Sequence, residues 1–172
     1  MTASPVGGFP NGFIAQLQEC RSRGWLRLAS RDPLAPPIIV ERLLSDPADL
    51  RRMVGAVKTQ LELLAHPAFG SLAADVRLGL GGDDARRADA DEIARWLLTT
   101  AGNGSHISCT CPMGSADDRA AVVAPDGRVY GVDGLFVADM SIAPTVPWSN
   151  TNLPAIMIGE HLAASWRAAW TA

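Results

Sequence analysis

Residues 123–144 read VAPDGRVYGVDGLFVADMSIAP, and this stretch decides the fold of the C-terminal part of the chain. Short apolar runs alternate there with turn formers, and Pro125-Asp126-Gly127 separates two of the runs with a turn sequence. The same alternation begins upstream, near residue 108. We therefore predict short strands joined by turns at 108–111 (SCTC), 120–124 (AAVVA), 128–131 (RVYG) and 134–139 (GLFVAD).

Downstream, the chain closes with a predicted helix over 152–170. Pro154 fits the first turn of this helix, where a missing N–H costs nothing. Asn152 either caps the helix, contacts a ligand or does both. Apolar residues recur along the helix at Ile156, Ile158, Leu162 and Trp166.

Upstream, the sequence predicts one strand and two helices. Residues 24–30 (GWLRLAS) alternate with the period of a strand that buries one face. Ser45-Asp46-Pro47 is a helix start, and residues 89–100 (DADEIARWLLTT) predict a second helix that ends at Gly102. Residues 1–12 are predicted as loop, and LGLGGDD at 78–84 is not a dinucleotide loop, because no strand precedes it and the third glycine is missing. Apolar residues recur along the two helices at Leu50, Met53, Val54, Val57, Leu61, Leu64, Ile93, Trp96 and Leu97.

Composition argues against nucleic acid as a partner. Fifteen basic and eighteen acidic side chains give a net charge of -3, and no basic stripe is present. No apolar segment approaches the roughly 18 residues of a membrane span, and residues 1–20 lack the pattern of a signal peptide. The mean hydropathy of +0.10 is slightly apolar, which predicts some surface that packs against a partner. We expect a soluble, cytoplasmic protein.

The three cysteines, Cys20, Cys109 and Cys111, are odd in number and follow no disulfide framework. His106 forms an H-x2-C-x-C cluster with the last two, so a metal site is an alternative. Structural zinc takes four ligands, usually in two spaced pairs, and no second Cys/His pair follows. We therefore predict no metal site.

Three blocks of the sequence, in their order and spacing, resemble the C-terminal signature of the glucose-methanol-choline (GMC) oxidoreductases. The blocks are HISCTCPMG at 106–114, the stretch at 123–144, and NTNLPAIMIGEHLA at 150–163. Upstream, SRGWLRLASRDPLAPPI at 22–38 and the helix start SDPADL at 45–50 resemble the substrate-side segment of the same family. The resemblance covers the chain from about Ser22 to its end, with Cys109 standing where the family usually has glycine.

This resemblance implies an α+β fold. An antiparallel sheet with flanking helices would form the substrate-binding subdomain, and C-terminal strands and a helix would complete an FAD-binding domain. The implied organisation is a loop or disordered N-terminus at 1–21, a substrate-side subdomain at 22–105, and an active-site and FAD-closing segment at 106–172. The family's G-x-G-x-x-G loop is not in this sequence, so FAD binding is expected to need an N-terminal Rossmann-type partner chain.

The resemblance also assigns site residues for FAD-dependent oxidation of a small-molecule alcohol. His106 would be the base that takes the hydroxyl proton, since a neutral imidazole can accept a proton near neutral pH. Asn150 would hold the substrate oxygen through its amide. The start of the last helix would lie near N1 and O2 of the flavin, where negative charge develops on reduction. The expected FAD contacts are Ala138, Asp139, Thr151 and Asn152.

Simpler interpretations remain beside these assignments. His106 is alternatively a surface or structural residue, Asp139 a strand terminator, and Trp148 and Met140 either core or pocket lining. For function, the alternatives are a noncatalytic remnant or binding module, and a flavoprotein similar to hydroxynitrile lyases. The sequence leaves the substrate and the electron acceptor undetermined.

Overall fold

The computed structural model describes residues 14–69 and 85–171. The chain divides into two compact units, Met1–Gly104 and Ser105–Ala172, which are described one at a time. The predicted loop at 1–12 and the LGLGGDD sequence lie outside the described residues. Across 14–69 and 85–171, no helix is long and apolar enough to cross a membrane.

The N-terminal unit contains a small antiparallel sheet and two helices. Strand β1 (Trp25–Arg27) pairs with β2 (Ile38–Val40), and Leu26 lies opposite Ile39. Helix α1 spans Pro47–Leu64 and helix α2 spans Ala90–Thr100. The predicted α+β class and the antiparallel sheet are confirmed.

The predicted buried face of the first strand is wrong. Trp25 and Leu26 are 42% and 47% exposed, and the guanidinium of Arg27 lies over the Trp25 ring, 5.0 Å from its centroid. The reason is that α1 and α2 pack against each other and hold the core of this unit between them. Of the side chains described in the two strands, none is fully buried. The buried residues of this core are Leu44, Met53, Val57, Ile93 and Leu97.

Both helices begin where the sequence predicts, because an aspartate caps each start. The Asp46 carboxylate accepts from the N–H of Ala48 at 2.7 Å. The Asp89 carboxylate accepts from the N–H of Glu92 at 2.9 Å, while the Glu92 carboxylate accepts from the N–H of Asp89 at 3.0 Å. Such reciprocal bonds satisfy donors that the first helical turn leaves without partners. Helix α2 stops at Thr100, slightly before the predicted end.

Asp49 connects α1 to the segment that precedes β1. Its carboxylate is fully buried and accepts from the N–H of Arg21 at 2.8 Å, the N–H of Ser22 at 2.6 Å and the hydroxyl of Ser22 at 2.7 Å. Burial alone raises the pKa of Asp49, but these bonds and the guanidinium of Arg52, 3.4 Å away, outweigh it and hold that pKa below its usual value. A buried charge with this many donors stabilises the fold only while it is ionised.

We expect Asp49→Asn to lower the free energy of unfolding at neutral pH by about 3 kcal/mol, because the amide cannot accept all of these bonds. In the wild type, the contribution of Asp49 is present above the ordinary aspartate pKa of about 3.9 and is lost as the pH falls through the lowered folded value. Urea unfolding at a series of pH values measures both effects. Asp46→Asn is the control, since asparagine caps helices as well as aspartate does. Equal losses from the two substitutions would contradict a special role for Asp49.

The C-terminal unit is built on helix α3, which spans Asn152–Trp170 as predicted. The strands predicted at 108–111, 120–124, 128–131 and 134–139 are wrong. The described part of this unit has isolated bridges instead, Met113 with Val123, Val123 with Val129, and Arg128 with Phe136, and none of them involves 108–111. The apolar runs are short, and glycines with φ of +75° and +73° at Gly131 and Gly134 interrupt extended pairing. The core of this unit comprises Val123, Met140, Ile142, Ala143, Ile158 and Leu162.

The predicted turn at Pro125-Asp126-Gly127 is confirmed, and it packs against α3. The N–H of Gly127 donates to the carbonyl of Ala124 at 2.8 Å. The indole N–H of Trp166 donates to the carbonyl of Asp126 at 2.9 Å. Gly127 has a φ of +80°, and a Cβ at this position would lie 2.7 Å from the carbonyl oxygen of Val137. Only glycine satisfies both the backbone conformation and the contact.

Gly127→Ala and Gly131→Ala separate these two requirements. Gly131 has a similar φ of +75°, but a Cβ there would meet no atom within 4 Å. We expect Gly131→Ala to cost about 1–2 kcal/mol of unfolding free energy for the left-handed backbone alone. Gly127→Ala should cost clearly more, because Val137 must also move. Equal costs in urea unfolding would show that the turn is not held tightly against the rest of the unit.

Candidate functional site

An open cleft of about 560 Å³ lies at the start of α3 in the C-terminal unit. Three segments line it: residues 105–107, residues 139–141, and the beginning of α3 through Thr151, Asn152 and Ala155. The first segment belongs to the HISCTCPMG block, the second to the end of the 123–144 stretch, and the third to the NTNLP block. The three sequence blocks that carry the resemblance therefore meet at one place.

Backbone hydrogen bonds align the residues that follow His106 with residues 140–142. The N–H groups of Cys109, Cys111 and Met113 donate to the carbonyls of residues 140, 141 and 142 at 3.2, 2.9 and 2.8 Å, respectively. At the edge of the cleft, the Asp139 carboxylate accepts from the N–H of Ser141 at 2.7 Å and caps a short 3-10 helix, Met140–Ile142. Asp139 lines the cleft and caps this helix, and its alternative interpretation as a strand terminator is wrong, because no strand forms at 134–139.

His106 connects the first segment to α3. Its side chain is partly buried, and its Nδ1 lies 2.9 Å from Oγ1 of Thr151. The imidazole therefore sits beside the helix start and lines the cleft with it. A side chain anchored in this way has a fixed orientation toward any molecule that enters the cleft.

The start of α3 lacks a side-chain cap. Thr151, not Asn152, is the N-cap residue, so the predicted capping role of Asn152 is wrong. The Thr151 hydroxyl makes no capping bond, since its backbone is helical, with φ of -78° and ψ of -9°, and its oxygen contacts His106. Asn152 is the first helical residue. The N–H groups of the first turn keep their partial positive charge at the cleft and are available to an acceptor.

The cleft brings together part of the predicted site. His106, Asp139, Thr151 and Asn152 line it. Ala138 and Asn150 are exposed neighbours of lining residues and do not line it themselves. Their roles stay predictions.

Two further side chains had two interpretations. Met140 is 8% exposed and belongs to the core, and it also lines the cleft. Trp148 is 77% exposed, so its interpretation as core is wrong. Sequence reasoning missed Ala155, although its position four residues after Thr151 places both on one helix face. The bond between His106 and Thr151, which are 45 residues apart, left no sequence signal.

A family model described as GMC oxidoreductase matches residues 20–159. The chain belongs to the GMC oxidoreductase family. Among curated relatives, the 5-(hydroxymethyl)furfural oxidase of Methylovorus sp. (strain MP688) is 40% identical over 169 residues, which are 94% of this chain and 32% of the relative. Oxygen-dependent choline dehydrogenase 1 of Chromohalobacter salexigens is 37% identical over 155 residues, 89% of this chain and 27% of the relative. The chain therefore spans less than a third of the length of these GMC relatives.

Solved structures agree with this assignment. An FAD-dependent oxidoreductase from Chaetomium thermophilum matches with a TM-score of 0.78 at 26% identity, over 90% of this chain and 26% of that one. A fungal aryl-alcohol oxidase matches with a TM-score of 0.69 at 28% identity, over 87% of this chain and 24% of that one. The described residues thus resemble a part of larger GMC proteins.

Cys109 departs from the GMC pattern at a position where the backbone favours glycine. Its φ is +63°, a left-handed conformation that is strained for a residue with a Cβ. The Cys109 side chain packs against the core of the C-terminal unit, and its Sγ lies 3.6 Å from Oγ of Ser108. As for the metal alternative, no group of three or more His, Cys, Asp or Glu able to hold a metal occurs in the part of the chain that the structure describes.

We expect the valine and glycine variants to have opposite orders of stability at Cys109 and at Cys111. At Cys109, glycine removes a strain of about 1–2 kcal/mol and roughly offsets the lost packing, whereas valine adds a branched side chain to a left-handed backbone and destabilises by about 2 kcal/mol. Cys111 has no positive φ, so valine there should be better tolerated than glycine. Thermal unfolding of the four variants measures the order. The same ranking at both positions would contradict a strained Cys109.

Proposed function

We propose that this chain supplies the active-site and flavin-closing part of an FAD-dependent GMC oxidoreductase that oxidises the CH–OH group of a small alcohol. The observation that carries the proposal is the cleft in which His106 and the start of α3 meet, joined by the 2.9 Å contact between Nδ1 and Oγ1. Two relatives are named as an oxidase of a hydroxymethyl compound and a choline dehydrogenase, which supports an alcohol as the substrate class.

The residues of the cleft fit the carbonyl-bearing edge of a flavin ring. The backbone N–H groups in the first turn of α3 have no side-chain cap. Thr151 and Asn152, at the start of this helix, form part of the cleft wall. Such donors and the positive end of the helix favour an electron-rich acceptor. We assign this contact to Thr151 and Asn152, and a packing contact with the cofactor to Ala138 and Asp139. When bound, FAD supplies the acceptor for the hydride.

His106 is the proton acceptor in this proposal. It lines the cleft, is held by Thr151, and can take the hydroxyl proton of an alcohol while the hydride leaves the same carbon. A positioned base of this kind contributes typically about 10²–10⁴-fold to the rate. Asn150 directly precedes the start of α3 and has an exposed side chain, whose amide N–H would hold the substrate oxygen as charge develops on it.

An N-terminal FAD-binding partner completes the site in this proposal. The chain matches only 32% of the furfural oxidase and contains no G-x-G-x-x-G sequence. The C-terminal unit exposes several large apolar side chains that such a partner would cover. These residues are Ile107, Leu135, Leu153, Ile156 and Met157, between 49% and 74% exposed.

A cytoplasmic location is also proposed. It is supported by the number of cysteines, 3, which is odd and does not suit a framework of disulfide bonds.

The test is purification of the chain together with a G-x-G-x-x-G chain that is co-expressed with it. We expect a yellow complex that oxidises an alcohol with an artificial electron acceptor. His106→Ala should retain the flavin and lower kcat by about 10²–10⁴-fold, because the proton acceptor is lost. His161→Ala is the matched control, since His161 lies on α3 outside the cleft and its imidazole is exposed.

Three outcomes would contradict the proposal. A tight complex without flavin would favour a noncatalytic binding module. A flavin-loaded complex whose His106→Ala variant keeps its full kcat would remove the base from the mechanism. Cleavage of a hydroxynitrile without turnover of any alcohol would point to lyase chemistry instead.

A further inference from the structure

The hydroxyl of Thr151 contacts a residue distant in sequence and makes no capping bond in its own helix. A threonine at an N-cap normally accepts from an N–H in the first turn of its own helix. Thr151 makes no such bond, and its Oγ1 lies 2.9 Å from Nδ1 of His106. The backbone of Thr151 is helical, with φ of -78° and ψ of -9°, whereas a capping residue is normally extended, so the hydroxyl is not placed to cap α3 and contacts His106.

We propose that Thr151 is a positioning residue that sets the tautomer of His106. In this arrangement Nδ1 carries the hydrogen and donates it to Oγ1 of Thr151, which leaves the lone pair of Nε2 free. The inference rests on the proposed function, because a base that works through Nε2 must carry its hydrogen on Nδ1. In the part of the chain that the structure describes, the hydrogen-bond partner of His106 Nδ1 is Oγ1 of Thr151.

The opposite direction of this bond would give a different chemistry. If the hydroxyl of Thr151 donated to Nδ1, the hydrogen of the neutral ring would sit on Nε2, and His106 could donate to a substrate oxygen but not take its proton. With Thr151 accepting, the substrate O–H proton moves to Nε2 and the ring becomes an imidazolium whose Nδ1–H bond to Thr151 is strengthened by the charge. The alcohol carbon loses its hydride to bound FAD in the same reaction.

The chain contains an internal reference for the opposite tautomer. The backbone N–H of Ala68 donates to Nδ1 of His66 at 3.2 Å. Because Nδ1 of His66 accepts, the hydrogen of its neutral ring is on Nε2. His66 and His106 should therefore differ in tautomer within one molecule, and the comparison needs no assumption about FAD.

The first test is the ¹⁵N spectrum of the imidazole nitrogens in the full chain, without FAD, at a pH where the rings are neutral. We expect the His106 signals to show hydrogen on Nδ1 and the His66 signals to show hydrogen on Nε2. Thr151→Val, which keeps the shape but removes the hydroxyl, should abolish the Nδ1–H pattern of His106, and Thr151→Ser should restore it. Thr171→Val removes a hydroxyl at the other end of α3, where Oγ1 donates to the backbone carbonyl of Arg167, and should leave both histidines unchanged.

The second test is the kcat of the FAD-loaded complex. We expect Thr151→Val to lower kcat by about 3- to 10-fold, which corresponds to one neutral hydrogen bond, with rescue by Thr151→Ser. The inference is overturned if wild-type His106 has its hydrogen on Nε2, a result that needs no variant to fold. It is also overturned if Thr151→Val leaves the Nδ1–H pattern intact. Failure of the proposed function looks different: the tautomer is as expected, but His106→Ala keeps its full kcat.

Discussion

The cleft depends on the hydrogen bonds that run from Cys109, Cys111 and Met113 to the carbonyls of residues 140–142. These bonds join two segments that are about thirty residues apart in sequence and place both beside α3. Buried backbone groups need partners, so this alignment satisfies the polar groups of a region that has isolated bridges instead of strands. The alignment fixes the residues that follow His106, and the contact with Thr151 holds His106 itself.

The core of the C-terminal unit gives this arrangement its rigidity. Ile142 and Val123 are fully buried and pack with Ile158 and Leu162 of α3. The helix is thereby held against the segment that ends in the 3-10 turn after Asp139. Its first turn, by contrast, is left without a side-chain cap, and Thr151 turns its hydroxyl toward His106. Packing fixes the helix, and the polar groups at its start remain available for chemistry.

The N-terminal unit is held together by different interactions. Its core lies between α1 and α2, and the fully buried Asp49 ties the preceding segment to α1 through three hydrogen bonds. Its two-stranded sheet is exposed, with Trp25, Leu26, Ile38 and Ile39 all more than 40% accessible. A hairpin of this size is marginal alone and gains stability when further strands or another layer cover it. This exposure is compatible with a chain that spans less than a third of its GMC relatives.

The three helices can be predicted from sequence alone, because their caps and apolar spacing are local: Asp46, Asp89 and the period of Ile158 and Leu162 act within a few residues. The sequence also determined the family, through three blocks whose order survives without coordinates. The strands after residue 106 and the buried face of β1 were mispredicted, since pairing and burial depend on neighbours distant in sequence. Long-range packing, in contrast, makes Thr151 and not Asn152 the N-cap residue and brings its hydroxyl to His106 across 45 residues. A hydrogen bond over that distance is set by how the segments pack, and no local pattern encodes it.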